Sequence, residues 1–223
     1  MTNQHYGQFC GLARAAEIVG QRWTLLILRD LAVSPRRYSD LVAGLPGIPT
    51  NTLASRLKDL EEAGVVRRAV TAGERSLIYE LTPRGEELRP ALDALGLWGA
   101  GGMRSPREGE VVTTASIIAA LRVAAGSGTV PSSWNTAFTL HVADVEVHVL
   151  MRDGTIEVGE GPAEAADLVI TAGPQIRDVL AGELDAQSAI DTGAVHLEGD
   201  TSLFARFADS LRVPYSPHVP ADA

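Results

Sequence analysis

The sequence predicts an α+β chain of 223 residues that folds as two domains. In residues 1–99 apolar side chains recur at helical spacing, and two short β-prone runs flank a glycine-containing turn. A segment with glycine and proline follows, and beyond it apolar and polar residues alternate as in strands. We therefore expect domains at 1–99 and 114–213, a linker at 100–113 and a flexible tail at 214–223.

The charge of the chain is unevenly distributed. The net charge is -9. Residues 1–104 contain thirteen Lys and Arg against eleven Asp and Glu, whereas residues 105–223 contain six against seventeen. Only the first half can therefore present a basic face to nucleic acid, because the local footprint matters more than the total charge.

The composition points to a cytoplasmic protein that does not bind membranes. No apolar run approaches the ~18 residues of a membrane span, and the first residues show no signal-peptide pattern. Cys10 is the only cysteine, so no internal disulfide can form.

The first half predicts three helical regions followed by a hairpin. Residues 10–30 form one helix or two, and the segment from Trp23 to Leu28 is apolar nearly all round, which indicates a central buried helix. A short helix at 38–43 and a turn follow. Strands at 65–70 and 76–81 enclose residues 71–75, and one helix extends from Pro83 to about Gly99 after Thr82 at its N-cap.

The segment 47–64 predicts an amphipathic helix. Leu53, Leu57 and Leu60 share one face, and Gly64 is suited to end the helix. Polar side chains occupy the opposite face, as in a helix that enters the DNA major groove. An ordinary surface helix would show the same pattern, so the neighbouring elements decide between the two interpretations.

The order helix, short helix, turn, helix and hairpin is that of a winged helix-turn-helix. The motifs within it are Cys10, IVGQRWTLLILR at 18–29, RYSDL at 37–41, LPGI at 45–48, LASRLKDLEEAG at 53–64 and YELTPRG at 79–85. Together they resemble the HxlR-type bacterial transcription regulators over about residues 8–100.

The resemblance implies a homodimer that binds double-stranded DNA at a palindromic operator. The N-terminal helix and the helix ending at Trp98 would form the dimer interface, and Leu88, Leu92 and Leu95 would set its spacing. The resemblance implies DNA contacts for Arg37, Thr50, Asn51, Thr52, Ser55, Arg56, Lys58 and Arg75.

Some of these positions have a second interpretation. Pro49 replaces the capping residue that the family usually has, so Thr50 is also a candidate N-cap. Arg56 flanks the leucine face and is equally suited to a salt bridge with a carboxylate. Arg75 and Ser76 replace the prolines often found in the wing.

Cys10 also has two interpretations. Some members of the family sense oxidants through a cysteine at this position, which requires an accessible thiol with a lowered pKa. The alternative, a small buried thiol, is the one that the apolar neighbours Tyr6 and Phe9 favour.

The second half predicts a mixed α/β domain. Its motifs are DLVIT at 167–171, LAGELDA at 180–186 and GAVHLEGD at 193–200, followed by Leu203 and Phe207. They resemble the sterol-carrier-protein-2-like domain over about residues 112–212, which implies a sheet covered by helices with an apolar pocket between. Candidate pocket residues are Phe138, Leu140, Val147, Val149, Ile156, Ile176, Leu180, Phe204 and Phe207, each of which is alternatively an ordinary core residue.

The sequence shows no catalytic constellation, so we expect neither enzymatic activity nor a cofactor. His141, His148 and His196 are too far apart along the chain to predict a metal site. No nucleophile stands beside a base in a recognised motif.

The sequence therefore predicts a DNA-binding transcription regulator modulated by a small apolar or amphipathic effector. Three alternatives remain open. The chain is a lipid carrier or enzyme that uses its winged helix for protein contacts, a regulator without an effector, or a redox-sensing regulator acting through Cys10.

Overall fold

The computed structural model describes residues 5–70, 76–127 and 130–219. The chain divides into two compact units, Met1–Leu92 and Asp93–Ala223. The division falls within one helix, seven residues before the end of the first domain that the sequence predicts. Among the described residues, no helix has the length and apolar character needed to cross a membrane.

The first unit combines helices with a small antiparallel sheet of order β1-β3-β2. Its elements, the last of which continues into the second unit, are α1 (Gly11–Val19), α2 (Thr24–Val33), β1 (Arg36–Arg37), α3 (Tyr38–Gly44), α4 (Thr50–Glu62), β2 (Val66–Val70), β3 (Leu77–Leu81), α5 (Pro83–Glu86) and α6 (Arg89–Ala100). The winged helix-turn-helix order is confirmed, and the short strand β1 is an addition to it.

The segment predicted as an all-buried helix is buried on one side only. Ile27 and Leu28 of α2 are fully buried, but Leu25 and Leu26 are 37% and 41% exposed. Trp23 precedes the helix with a left-handed φ of 78°. The continuous apolar run therefore supplies both a core face and an exposed apolar face.

The helix predicted from Pro83 to Gly99 is divided into α5 and α6. Thr82 caps α5 as predicted, accepting a hydrogen bond from the Gly85 N–H at 3.1 Å. A Cβ at Gly85 would lie 2.2 Å from the Val65 carbonyl oxygen, so only glycine permits this approach. Pro90 has no N–H to continue the ladder, which explains the break at residues 87–88.

The second unit contains a mixed five-stranded sheet of order β6-β5-β4-β7-β8. Its remaining elements are α7 (Thr114–Ser127), β4 (Asn135–Val142), β5 (Val145–Arg152), β6 (Thr155–Glu160), β7 (Leu168–Ala172), α8 (Ile176–Ala181), α9 (Ala186–Asp191), β8 (Val195–Gly199) and α10 (Leu203–Ser210). Strands β4 and β7 are parallel and the other neighbours antiparallel. The predicted mixed α/β domain is confirmed, and β8 is a strand that the sequence reasoning missed.

Burial alternates along β5, whereas Ala137–Leu140 of the neighbouring strand β4 are buried without a break. Phe138 and Leu140 of β4 pair with Val149 and Val147 of β5, and all four are buried on the same face. The β4–β5 turn contains Ala143 in the left-handed region, with a φ of 52°. Period-two alternation thus predicted these strands correctly.

The segment expected to be a flexible tail begins with packed residues. Tyr215 is only 8% exposed, and its hydroxyl donates to Asp178 Oδ1 at 2.7 Å. This expectation is therefore wrong for the start of the tail, because an aromatic ring there is buried in the second unit. Residues 220–223 lie outside the described part of the chain.

Candidate functional site

Helix α4 is fixed by its apolar face and by one hydrogen bond at its start. Leu53, Leu57 and Leu60 are at most 2% exposed and join the core formed with α2 and α3. The Tyr38 hydroxyl of α3 donates to the Thr50 carbonyl at 2.7 Å. The first turn of α4 is thereby held against α3, as in a helix-turn-helix pair. Sequence reasoning missed this role of Tyr38.

The N-terminus of α4 starts without a side-chain cap. Pro49 is the N-cap residue and makes no capping hydrogen bond, and Thr50 is the first helical residue. The alternative in which Thr50 caps the helix is therefore wrong. The Asn51 side chain instead accepts the Thr52 N–H at 2.8 Å.

The outward face of α4 carries most of the predicted DNA contacts. Thr50, Asn51, Ser55 and Lys58 are exposed, and Thr52 is partly buried. Lys58 lies 3.6 Å from Glu62, and the two side chains are 61% and 51% exposed. Such an exposed pair contributes little to stability, so Lys58 can exchange Glu62 for a phosphate at low cost.

Arg56 occupies the flank of α4. Its guanidinium donates to Asp59 at 2.7 Å, and its side chain is 23% exposed. The Nε atom is buried and has no hydrogen-bond partner among the described residues. Arg56 therefore forms the salt bridge with a carboxylate that was the second interpretation of this residue.

The remaining predicted DNA contacts lie at the start of α3 and at the wing. Arg37 is exposed, and its backbone N–H donates to Asp40 Oδ2 at 2.9 Å, which fixes the first turn of α3. Arg75 lies outside the described residues.

Strand β2 of the wing carries two exposed arginines that the sequence analysis did not name as candidate DNA contacts. Arg68 contacts Glu61 through two hydrogen bonds, of 2.5 and 2.7 Å, which raise the pKa of its guanidinium. Arg67 donates to Glu80 at 2.7 Å. Adjacent arginines in a strand beside the predicted wing are a signal that could have identified them.

Cys10 is exposed, so the interpretation as a buried thiol is wrong. It lines an open groove with Phe9, Arg14 and Arg84. Phe9 has a relative exposure of 106% and contributes no cover. The thiol is therefore accessible to solvent.

Large apolar side chains are exposed on the two helices that the resemblance assigns to the dimer interface, α1 and α6, and also on α2. In the first unit, Leu12 of α1 is 78% exposed and Leu26 of α2 is 41% exposed. Leu88, just before α6, and Leu92 on α6 pack against the core of the first unit, whereas Leu95 and Trp98 of α6 are 50% and 82% exposed. Leu88 and Leu92 therefore serve the fold of the first unit.

The predicted pocket residues of the second unit are packed. All except Ile156 and Leu180 are buried, as expected if they are ordinary core residues. The Phe138 and Phe207 rings are 5.2 Å apart between centroids, and the Phe204 and Phe207 rings 6.5 Å.

A separate small cleft of the second unit is lined by other side chains. They are Ser132, Ser133, Trp134, Asn135, Arg152 and Asp153.

The described residues contain no group of three side chains suited to hold a metal ion. His141 lies 3.4 Å from Glu146, and His148 Nδ1 lies 3.2 Å from the Gly161 carbonyl oxygen. His196 is exposed on β8. The histidines thus make separate local contacts.

Comparison with known proteins matches each half of the chain to a protein family. The model of the family described as HxlR-like helix-turn-helix matches residues 18–106, and the model of the SCP-2 sterol transfer family matches residues 122–212. An HTH-type transcriptional regulator of Synechocystis sp. is 35% identical over 95 residues, which are 42% of this chain and 70% of that protein. Another from Mycobacterium tuberculosis is 43% identical over 89 residues, 40% of this chain but only 56% of the relative.

A solved structure has a similar region. The putative transcription factor PA1607 is 32% identical with a TM-score of 0.43, over 49% of this chain and 77% of that one. From the sequence matches and the geometry of α3 and α4, the chain belongs to the HxlR-like helix-turn-helix family of transcriptional regulators and carries an SCP-2 sterol transfer family domain in its second half.

Proposed function

We propose that this chain acts as a homodimeric regulator that reads a palindromic DNA operator with α4 and responds to a small apolar or amphipathic effector in its second unit. The observation that carries DNA recognition is the division of α4 into a buried leucine face and an exposed polar face. Asn51 and Ser55 offer hydrogen-bonding groups to base edges, and Lys58 offers a charge to phosphate.

The exposed apolar side chains support the dimer. Leu12, Leu26, Leu95 and Trp98 are each exposed by 41% or more within a single chain. A second copy would remove this surface from water, at about 25 cal/mol for each Å² of apolar area buried. Two copies of α4 would then meet half-sites about one helical turn apart.

The effector part of the proposal requires the second unit to open. Phe138, Phe204 and Phe207 fill the interior that a ligand would occupy. A ligand therefore has to displace ring contacts or enlarge the space between α10 and the sheet. It can change DNA binding only if its affinity differs between the two dimer geometries.

DNA binding is tested by fluorescence anisotropy with the DNA upstream of the protein's own gene, at several salt concentrations. We expect binding that weakens steeply with salt, since phosphate contacts release counterions. Asn51→Ala should weaken it, whereas Gln187→Ala, at an exposed residue of α9 in the second unit, serves as the matched control. A protein that binds lipid but does not bind this DNA would support the lipid-carrier alternative instead.

The effector is tested separately by native mass spectrometry of the purified protein. A retained small molecule in the second unit supports the proposal. A ligand-free protein whose DNA affinity is unaffected by metabolite extracts would be a regulator without an effector.

A second candidate function rests on the accessible thiol. Cys10 is exposed in a groove that Arg14 and Arg84 also line, so an oxidant can reach its thiol. We expect a redox-sensing regulator to change its DNA affinity when treated with diamide, which oxidises thiols. Cys10→Ser should abolish that change, and an affinity that diamide leaves unaltered rules this function out.

A further inference from the structure

The described end of the chain forms a strap across the second unit. We define this C-terminal strap as residues 213–219. The Val213 N–H donates to the Leu180 carbonyl of α8 at 2.7 Å, and the Ser216 N–H donates to the Gly101 carbonyl at 2.9 Å. The strap therefore joins α8 to the residues that directly follow α6.

Tyr215 is the centre of this strap. Its hydroxyl donates to Asp178 Oδ1 of α8 at 2.7 Å. The guanidinium groups of Arg104 and Arg177 lie over its ring, 4.3 and 4.4 Å from the centroid. The buried ring is thus held by two cation–π contacts and by the hydrogen bond of its hydroxyl.

Arg177 connects the same three segments by hydrogen bonds. Its Nη1 donates to the Val213 carbonyl at 2.6 Å, and its Nη2 donates to the Ala100 carbonyl at 2.8 Å. Ala100 is the last residue of α6. One side chain of α8 thus holds the start of the strap and the end of α6.

The glycines after α6 permit the close packing. A Cβ at Gly101 would lie 3.0 Å from Ser216 Cβ, and a Cβ at Gly102 would lie 3.1 Å from Val219 Cγ1. A Cβ at either position would therefore require the strap to shift by a few tenths of an ångström. The composition of this segment suggests a loose linker, but its first residues form a packed joint.

Helix α8 also contacts the apolar interior. Ile176 and Val179 are 6% and 2% exposed, while Arg177 and Asp178 hold Tyr215 and the end of α6. We call Ile176 and Val179, through which α8 contacts the interior, the apolar seat of α8. We infer that the C-terminal strap is a latch that couples this seat to the end of α6. Its regulatory meaning rests on the proposed function: an effector that displaces α8 moves the residues that hold α6.

The latch is tested in the full-length protein by limited trypsin digestion, followed by mass spectrometry. Arg104 contacts Tyr215, so cleavage after Arg104 should be slow, and cleavage after the exposed Arg107 is the internal reference. We expect Tyr215→Ala to accelerate cleavage after Arg104 about tenfold, because local opening limits proteolysis. Tyr215→Phe keeps the ring and should give a smaller increase.

His218→Ala is the matched control, because His218 is an exposed residue of the same strap. Far-UV circular dichroism checks that each variant is folded. Equal cleavage rates in wild type, Tyr215→Phe and Tyr215→Ala would overturn the latch.

The coupling to the interior is tested with a double-mutant cycle. Ile176→Val removes one methyl group from the seat of α8 and should accelerate cleavage after Arg104 in the wild-type background. In the Tyr215→Ala background it should add little, since coupled sites are not additive. No effect in the wild type, or full additivity, would contradict the coupling.

Neither digestion uses DNA or an effector. A failure of the latch would therefore leave DNA recognition by α4 standing, and a failure to bind DNA would leave the latch standing.

Discussion

The two candidate binding regions of this chain are built in opposite ways. On α4 the leucines face inward and the predicted DNA contacts Asn51, Ser55 and Lys58 are exposed. In the second unit the predicted ligand contacts, including Phe138 and Phe207, are buried against one another. The surface predicted to contact DNA is therefore preformed, whereas the predicted ligand site would have to open.

This difference has an energetic consequence. A preformed surface binds without reorganising its own side chains, so truncating one exposed contact should change affinity while stability stays nearly constant. A filled interior behaves as a core, so truncating one of its side chains should chiefly reduce stability. Substitutions in the two regions should thus separate binding from folding.

The largest effect is expected for Phe207→Ala. Its ring contacts the rings of Phe138 and Phe204, and we expect a loss of about 3–5 kcal/mol in the free energy of unfolding. Urea denaturation followed by circular dichroism measures it. Arg206→Ala, on the exposed side of the same helix, should cost about 1 kcal/mol or less. If Phe207 instead bordered an open ligand cavity, its truncation would cost as little as that control.

The next effect concerns Asn51→Ala. We expect DNA affinity to fall about tenfold to a hundredfold, or about 1–3 kcal/mol, if the amide pairs with a base edge. Stability should change only by a few tenths of a kcal/mol, because the side chain is exposed and makes one hydrogen bond to Thr52. Anisotropy and thermal melting measure the two quantities. A large loss of stability would mean that α4 is not a preformed surface.

These regions also differ in how well the sequence predicts them. The spacing of Leu53, Leu57 and Leu60 and the stop at Gly64 are local signals, and both are confirmed. Gly64 has a φ of 69°, and the Val65 N–H donates to the Leu60 carbonyl at 2.9 Å, closing the helix end. Local periodicity and the glycine at the helix end were therefore sufficient to predict α4 and its buried face.

Long-range contacts could not be predicted in the same way. Tyr38 contacts Thr50 across a turn, and Tyr215 contacts residues 37 or more positions away along the chain. Strand β8 is short and has only two apolar residues, Val195 and Leu197, so its own sequence does not distinguish it from a loop. Neighbouring chain segments, rather than local propensity, determine these features.

The ionisation of Tyr215 at high pH tests the long-range contacts that this residue makes. Burial, followed by the hydrogen bond to Asp178, raises the pKa of Tyr215 to about 12. The native state therefore binds this proton more tightly than the unfolded chain, whose tyrosines have pKa values near 10. The stabilisation is complete below pH 10 and is lost as the pH rises towards 12.

Absorbance of tyrosinate near 295 nm measures this titration. The difference between wild type and Tyr215→Phe should titrate near the upper end of that window. A difference spectrum centred near pH 10 would mean that Tyr215 is not buried in the strap.

The smallest effect is expected for Arg56→Ala. Its ion pair with Asp59 lies within one helix and is partly exposed, so its loss should cost about 0.3–0.5 kcal/mol of stability. DNA affinity should fall less than in Asn51→Ala, because the guanidinium is engaged along the helix. An affinity loss that exceeds that of Asn51→Ala would assign Arg56 to DNA recognition.

The most direct test of the central claim is footprinting of the full-length protein on the DNA upstream of its gene. We predict two protected half-sites about one helical turn apart, as for two copies of α4 on one face of the duplex. Asn51→Ala should lose this protection at the concentration that protects with the wild type. Unprotected DNA, or equal protection by both proteins, would contradict recognition by α4.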